Sequence, residues 1–202
     1  FAVLRVGGVY LPLNTAYTDN EIDYFLTDAE PRVHICSSNR SDFAESLASK
    51  VSGLSVMILE DESGSLFDAF LKARQEGRKV DDVVSRQSDD VASILYTSGT
   101  TGKPKGAMIT HSNLISNAEM LTEAWDYSAN DALLHALPLF HVHGLFVALN
   151  LALVNGGPVI MLPKFDPDMV LDAMPDATVM MGVPTYYTRL LSDQRFDRDV
   201  SG

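Results

Sequence analysis

The sequence is poor in cysteine, in basic residues and in long apolar runs, and each scarcity argues against a class of protein. It has a single cysteine, Cys36, so an internal disulfide is excluded and a reducing compartment is favoured. Lysine and arginine number 15 against 27 aspartates and glutamates, and the resulting net charge of −12 repels nucleic acids and anionic membranes. The most apolar stretch, 144–154, is shorter than the roughly 18 residues that cross a bilayer. We therefore expect neither nucleic-acid binding nor a membrane span.

What is present is the composition of an ordinary globular protein. The 202 residues are 46% hydrophobic and 21% charged, which is enough for a sizeable core. Strand-like segments alternate with helical segments, and this pattern predicts an α/β fold with mostly parallel sheets flanked by helices. A polar connector, 79–90, separates a first α/β portion, 1–80, from a second, 91–202. The chain starts with Phe1 instead of Met, and we expect it to be a piece of a larger protein.

Capping and turn residues predict the individual elements. In the first portion they predict a strand over 7–14, a helix capped by Thr18 and Glu21, strands over 33–36 and 54–59, and helices over 41–50 and 63–77. In the second portion they predict a helix that is capped by Ser112 or Thr110, ends at Trp125 and has Ile115 on its buried stripe. They also predict strands over 132–137, 159–162 and 177–181, an apolar helix ending at Val154, and helices over 166–174 and 184–192.

The most informative stretch is a loop rich in hydroxyls, glycines and lysines. Its apolar flanks, 94–96 and 107–109, are predicted to be buried strands. Glycines let main-chain N–H groups approach an anion, hydroxyls donate to phosphate oxygens, and lysines supply positive charge. The same composition also suits an exposed turn, but the apolar flanks favour phosphate binding. The candidate phosphate ligands are Thr97, Ser98, Gly99, Thr100, Thr101, Gly102, Lys103 and Lys105.

This loop is not a Walker A motif. Pro104 follows Lys103 where that motif requires Ser or Thr, and the next element is strand-like instead of helical. The pattern therefore lacks the magnesium-binding hydroxyl and the helix N-terminus of a P-loop ATPase.

Two histidines, His141 and His143, follow a predicted strand and precede the apolar helix. Open α/β sheets bind ligands just beyond the carboxyl ends of their strands, so both are candidate site residues. The alternative is that they are core or capping histidines. No cysteine or carboxylate pair stands beside them at ligand spacing, and we predict no metal site.

Arg189 lies among tyrosines and leucines in the segment MGVPTYYTRLL, 181–191. It either faces solvent with its aliphatic stem on the surface or points inward as a buried charge. A buried arginine needs an anion, and a dicarboxylic acid would supply one.

These three stretches resemble segments of the adenylate-forming superfamily, which includes acyl-CoA synthetases, luciferases and the adenylation domains of peptide synthetases. YTSGTTGKPKGA, 96–107, is similar to the signature phosphate loop of that superfamily. PLFH, together with HVHGLFVALN and VPTYYTRLL, looks closest to the malonyl-CoA synthetases. The resemblance implies part of the large N-terminal domain, without the C-terminal domain and its catalytic lysine.

The resemblance also implies a function. The parent protein would be an ATP-dependent acid–thiol ligase of fatty acid metabolism that uses ATP, Mg²⁺ and CoA and converts malonate or methylmalonate to its CoA thioester through an acyl-adenylate. Residues 97–103, with Lys105, would hold the β- and γ-phosphates, and His141 would be the catalytic residue beside the reacting carboxylate. His141, His143 and Arg189 would bind the acid.

Two alternatives to this function stay open at this point. One is a ligase for another acid, such as a short-chain or medium-chain fatty acid or an aryl acid. The other is an inactive nucleotide-binding or structural fragment. We expect the isolated chain to be inactive and the parent to be cytoplasmic, or in the mitochondrial matrix if it is eukaryotic.

Overall fold

The computed structural model describes residues 1–78, 82–97 and 103–196, and the chain divides into two units. The first unit comprises Phe1–Gly8, Leu13–Ser85 and Tyr96–Gly106, and the second comprises Val9–Pro12, Arg86–Leu95 and Ala107–Gly202. The chain therefore passes between the units several times. The sequence-based division at residues 80 and 91 stays a prediction.

The first unit contains a pair of parallel strands connected through an α-helix. Its elements are α1 (Ala2–Arg5), α2 (Asp19–Ala29), β1 (Val33–Cys36), α3 (Ser41–Ala48), β2 (Ser55–Ile58) and α4 (Ser65–Gln75). The strands pair in register from Val33 opposite Ser55 to Cys36 opposite Ile58. A parallel pair needs a crossover connection, and α3 provides it.

Helix α2 begins where its sequence predicts. The Thr18 hydroxyl accepts a hydrogen bond from the Glu21 N–H, and the Glu21 carboxylate accepts one from the Thr18 N–H, which is a complete capping box. Its apolar face buries Ile22 and Leu26 in a core cluster with Leu47 of α3. The helix is therefore fixed both at its first turn and along one side.

The predicted strand over 7–14 is wrong. Within the described ranges this segment forms only an isolated parallel bridge, from Tyr10 to Ser93 of β3 (Val91–Thr97). The Ser93 hydroxyl strengthens the bridge by donating to the Tyr10 carbonyl at 2.7 Å. Pro12 has no N–H to donate, so the ladder cannot extend past it.

The second unit carries the remaining elements. After β3 they are β4 (Lys105–Thr110), α5 (His111–Trp125), β5 (Leu133–His135), a π-helix (His143–Leu149), α6 (Asn150–Asn155), β6 (Val159–Met161), α7 (Pro167–Ala173), β7 (Val179–Met180) and α8 (Pro184–Leu191). Strands β3 and β4 form a two-stranded sheet. Their ends that flank the hydroxyl-rich loop, within 96–106, are assigned to the first unit. The apolar helix predicted to end at Val154 is thus a π-helix that continues into an α-helix.

Strand β5 is the centre of a three-stranded parallel sheet in the order β6-β5-β7. Consecutive residues Leu133 and Leu134 are both fully buried, because successive strand side chains point to opposite faces. Leu133 packs with Leu151 of α6, and Leu134 packs with Val170 of α7. Helices therefore cover both faces, and the α/β class with parallel sheets is confirmed.

Three residues predicted to be buried are exposed, namely Ala107, Met108 and Ile115. Ile115 of α5 is 55% exposed, because the buried stripe of this helix is formed by Leu114 and Ala118, one turn apart. Met108 of β4 is 70% exposed, and its neighbour Ala107, on the other face of the strand, is exposed as well. No helix in the described ranges combines the length and hydropathy that a bilayer crossing requires.

Candidate functional site

The candidate phosphate ligands belong to the first unit. Ser98, Gly99, Thr100, Thr101 and Gly102 lie outside the described residues. The other candidates stand on the two segments that flank them, 96–97 and 103–105, which we call the loop stems. The Thr97 hydroxyl donates to the Lys105 carbonyl at 3.5 Å, so the stems meet. Lys103 is exposed, and its Nζ lies 5.4 Å from the centre of the Tyr24 ring.

Three residues of α2, Tyr24, Phe25 and Asp28, hold the loop stems. The Tyr24 hydroxyl donates to the Pro104 carbonyl at 2.8 Å on one stem. On the other stem, the Tyr96 hydroxyl donates to the Asp28 carboxylate at 2.6 Å. The Phe25 ring lies 4.3 Å from the Tyr96 ring, centre to centre. Both stems are therefore fastened to the same helix.

The protonation state of Tyr96 suits this contact. Burial raises its pKa well above the usual value for tyrosine, and the hydrogen bond and charge of Asp28 raise it further. The phenol thus stays protonated and continues to donate to the carboxylate near neutral pH.

Sequence reasoning missed Tyr24 and Asp28 as parts of this site. Tyr24 is 80 residues from Pro104, and no local pattern encodes such a contact. The available signal was the spacing of four residues between Tyr24 and Asp28, which places two hydrogen-bonding side chains on one face of the helix.

The candidate histidines belong to the second unit, on the segment that follows β5. His141 is exposed, and its ring lies 4.6 Å from the Phe140 ring. His143 is half-buried and is the first residue of the π-helix. Segments of π-helix often occur at functional sites, which agrees with the choice of this stretch as a candidate site.

A third histidine, His135 at the end of β5, fixes this segment and was missed from the sequence. The Leu137 N–H donates to His135 Nδ1 at 3.2 Å, so the proton is on Nε2, which donates to the Gly144 carbonyl at 2.9 Å. Burial lowers the pKa of His135, the bond to Gly144 opposes that shift, and the nearby His143 adds to it. A lone histidine in the apolar run LLHAL was the only sign in the sequence.

Gly144 allows the main chain to close at this point. A Cβ at Gly144 would lie 2.3 Å from the Pro138 carbonyl oxygen and 3.1 Å from Leu137 Cβ. Real Cβ atoms do not approach backbone that closely, so only glycine fits. We call the segment from His135 to Gly144 the histidine corner.

A cavity of about 400 Å³ opens beside the histidine corner within the second unit. Its wall includes Trp125, Tyr127, Asp131, His143, Met181 and Tyr187. Hydrogen bonds from the Ser128 N–H and hydroxyl, and then from Thr178, lower the pKa of Asp131, so it is an anion. The buried Tyr127 hydroxyl has no hydrogen-bond partner among the described residues, and burial raises its pKa.

Arg189 is exposed on α8 and does not line this cavity. Its guanidinium lies 5.0 Å from the centre of the Phe165 ring. Phe165 in turn stacks on Tyr186, with 3.8 Å between ring centres. The structure therefore places His143 at the cavity and Arg189 at an aromatic stack, and a substrate-binding role for Arg189 stays a prediction.

Comparison with known proteins identifies relatives of this chain. A model of the AMP-binding enzyme family matches residues 1–202. The malonate–CoA ligase of Arabidopsis thaliana is 36% identical over 197 residues, which cover 92% of this chain and 32% of that protein. The feruloyl-CoA synthase of an Amycolatopsis species is 34% identical over 198 residues, which cover 97% of this chain and 38% of that protein.

A solved structure resembles the whole of this chain. The crystal structure of ATP-bound MatB from Rhodopseudomonas palustris is 51% identical and has a TM-score of 0.91, over 99% of this chain and 39% of that one. This chain spans only 32% and 38% of the length of the two curated relatives. The resemblance carried by YTSGTTGKPKGA is nevertheless confirmed over all 202 residues, and the chain belongs to the AMP-binding enzyme family.

Proposed function

We propose that this chain is part of an AMP-forming acid–thiol ligase that activates malonate or methylmalonate with ATP and transfers the acyl group to CoA. The observation that carries the proposal is the 51% identity to a MatB structure that holds ATP, over 99% of the chain. The likeness to a plant malonate–CoA ligase supports the same acid.

The proposed reaction has two steps. A carboxylate oxygen of the acid attacks the α-phosphorus of ATP, pyrophosphate leaves, and an acyl-adenylate forms. The CoA thiolate then attacks the acyl carbon, and AMP leaves with the electron pair of the broken C–O bond. The first step joins two anions, so catalysis depends on positioning and on neutralising charge.

The loop stems suit the role of gripping the ATP phosphates. Thr97 supplies a hydroxyl and Lys103 an exposed ammonium, and residues 98–102 would add further hydroxyls and main-chain N–H groups. Lys105 is the weaker candidate, because it is already part of β4. The metal would arrive with the nucleotide as MgATP, since Mg²⁺ is commonly held through substrate phosphates. Among the described residues no cluster of three or more histidine, cysteine, aspartate or glutamate side chains would hold a metal, and no protein ligand is assigned to it.

The histidine corner suits the role of receiving the acid. His141 is exposed, so its imidazole is accessible for orienting the carboxylate or stabilising charge at the α-phosphate. His143 faces the cavity and would contact the rest of the acid. Arg189 would leave the Phe165 ring to pair with a distal carboxylate; leaving the ring costs roughly 0.5–1 kcal/mol, less than a desolvated ion pair returns.

A ligase for an aryl or fatty acid is the second candidate. The cavity wall is largely aromatic, through Trp125, Tyr127 and Tyr187, and the Asp131 anion would repel a second carboxylate. The 34% identity to a feruloyl-CoA synthase is close to the 36% identity to the malonate ligase. Overall identity to the curated relatives therefore does not select the acid.

Acid-dependent exchange of pyrophosphate into ATP tests the proposal on the full-length protein. Malonate, methylmalonate, acetate, octanoate and benzoate should be compared, and kcat/KM for malonate or methylmalonate should exceed the others by about tenfold or more. Preference for octanoate or benzoate would favour the second candidate instead. Absence of exchange with every acid would overturn both and favour an inactive nucleotide-binding or structural fragment.

The isolated chain of 202 residues should show no exchange in the same assay. A cytoplasmic or mitochondrial-matrix location also belongs to the proposal, and fractionation of the source cells would test it. Exchange by the isolated chain at the rate of the full-length protein would contradict the expectation that this piece is incomplete.

A further inference from the structure

One face of helix α2 contacts both loop stems. Tyr24 and Asp28 are four residues apart and so lie one above the other on the helix surface. Tyr24 reaches the stem at 103–104, and Asp28 reaches the stem at Tyr96. A single rigid element thus determines where both stems begin.

Tyr24 makes two different contacts with adjacent residues. Its hydroxyl donates to the Pro104 carbonyl at 2.8 Å, and its ring lies 5.4 Å from the Lys103 ammonium. The hydrogen bond fixes the main chain immediately after Lys103, and the ring attracts the cation. Together they restrict both the origin and the direction of the Lys103 side chain.

Asp28 acts on the other stem through Tyr96. Its carboxylate accepts the Tyr96 hydroxyl at 2.6 Å, and the Phe25 ring packs on the Tyr96 ring. Tyr96 directly precedes Thr97, so a fixed Tyr96 restricts where the Thr97 hydroxyl lies. Charge-assisted hydrogen bonds of this length are the strong ones, which makes this fastening stiff.

We propose that Tyr24 and Asp28 are positioning residues that hold Lys103 and Thr97 in place for the phosphates of ATP. The inference rests on the proposed function, because it takes ATP as the ligand of the stems. Helix α2 is suited to the task, since its capping box fixes its first turn and its buried face packs on the core of the first unit. The two residues act through Lys103 and Tyr96 and do not themselves touch the nucleotide.

Substitutions on α2 and the stem separate this role from a general role in folding. Tyr24→Phe removes the hydroxyl and keeps the ring, whereas Tyr24→Leu removes both contacts. Asp28→Ala and Tyr96→Phe each remove the second fastening. The matched control is Tyr17→Phe, because the Tyr17 ring packs on Phe25 at 5.0 Å but its hydroxyl has no hydrogen bond to a described residue.

The expected result is a change specific to ATP in the full-length ligase. Loss of one hydrogen bond should raise KM for ATP about threefold to tenfold in Tyr24→Phe and Tyr96→Phe, and more in Tyr24→Leu. KM for the acid should stay within about twofold, since its binding makes no use of the stems. Tyr17→Phe should match the wild type in both constants.

Calorimetric titration with ATP makes the inference independent of turnover. Weaker ATP binding by Tyr24→Phe than by the wild type supports it even if no acid gives exchange, an outcome that would overturn the proposed function alone. The inference is overturned if Tyr24→Phe has the same KM and Kd for ATP as Tyr17→Phe, or if its KM rises equally for ATP and for the acid. Either outcome leaves the proposed function standing. A wild-type protein that does not bind ATP overturns both.

Discussion

The loop stems of the first unit and the histidine corner of the second are both held in place, but by different kinds of contact. The stems are fastened to helix α2 by two phenol hydroxyls, that of Tyr24 on the helix and that of Tyr96 on one stem. The corner is fastened by main-chain proximity at Gly144 and by the buried imidazole of His135. When a hydroxyl is lost at the stems, the neighbouring main chain can shift to compensate. An atom added at Gly144 would instead overlap main-chain atoms of the corner. Changes at the stems should therefore alter ligand affinity, and changes at the corner should alter stability.

Arg189, which belongs to neither the loop stems nor the histidine corner, provides the test with the largest expected effect. If it pairs with the distal carboxylate of malonate, Arg189→Ala should reduce kcat/KM for malonate roughly thirtyfold or more. This corresponds to a loss of about 2–5 kcal/mol in transition-state stabilisation. Activity with acetate should change little, and steady-state kinetics of the full-length ligase with both acids measures the difference. Equal losses of kcat/KM with both acids would mean that Arg189 has only a structural role, through its packing on Phe165.

Within the histidine corner, we expect substitution of Gly144 to lower the free energy of unfolding most. Gly144→Ala places a Cβ 2.3 Å from the Pro138 carbonyl oxygen, and we expect a loss of about 3 kcal/mol in the free energy of unfolding, the upper end for overpacking. The control is Gly156→Ala, where no atom lies within 4 Å but φ is +73°, and about 1 kcal/mol is expected. Urea denaturation compares the two. Equal losses would contradict the view that the corner is fixed by close packing.

His135 should give the smallest effect, as a dependence of stability on pH. Burial lowers its pKa in the folded state, so its stabilising contribution is complete above the unfolded pKa of about 6.5 and is lost as pH falls through the folded pKa. Between pH 7 and pH 5 the wild type should lose stability faster than His135→Gln, by at most about 1.4 kcal/mol per pH unit.

The control for this pH dependence is the same comparison between pH 9 and pH 8, well above the unfolded pKa of histidine. In that range wild type and His135→Gln should show the same slope. A wild-type slope in His135→Gln between pH 7 and pH 5 would show that His135 does not hold the corner in its neutral form.

Features carried by contiguous residues were predictable from the sequence. The capping box of α2 is written in Thr18 and Glu21, and its start was predicted correctly because it depends on four consecutive residues. The family was predictable for the same reason, since the glycines, hydroxyls and lysines of the loop follow one another directly.

Features that depend on distant partners were not predictable. The strand expected over 7–14 has the right residue types, yet only Tyr10 finds a partner, and that partner is in β3. The fastening of Pro104 by Tyr24 and the space that restricts Gly144 depend on tertiary packing, which periodicity does not record. Which side chains hold the site is therefore decided by tertiary packing and not by local sequence.

The strand order of the three-stranded sheet bears on how this protein is made. Strand β5 lies in the middle but precedes both of its neighbours in the chain, so it emerges from the ribosome before β6 or β7 does. Until both neighbours have emerged, both edges of this apolar strand are unpaired. Apolar strands with unpaired edges are prone to aggregate. Truncation before β7, or slow translation through 162–178, should therefore lower the soluble yield through misassembly during synthesis, even if the finished protein is stable.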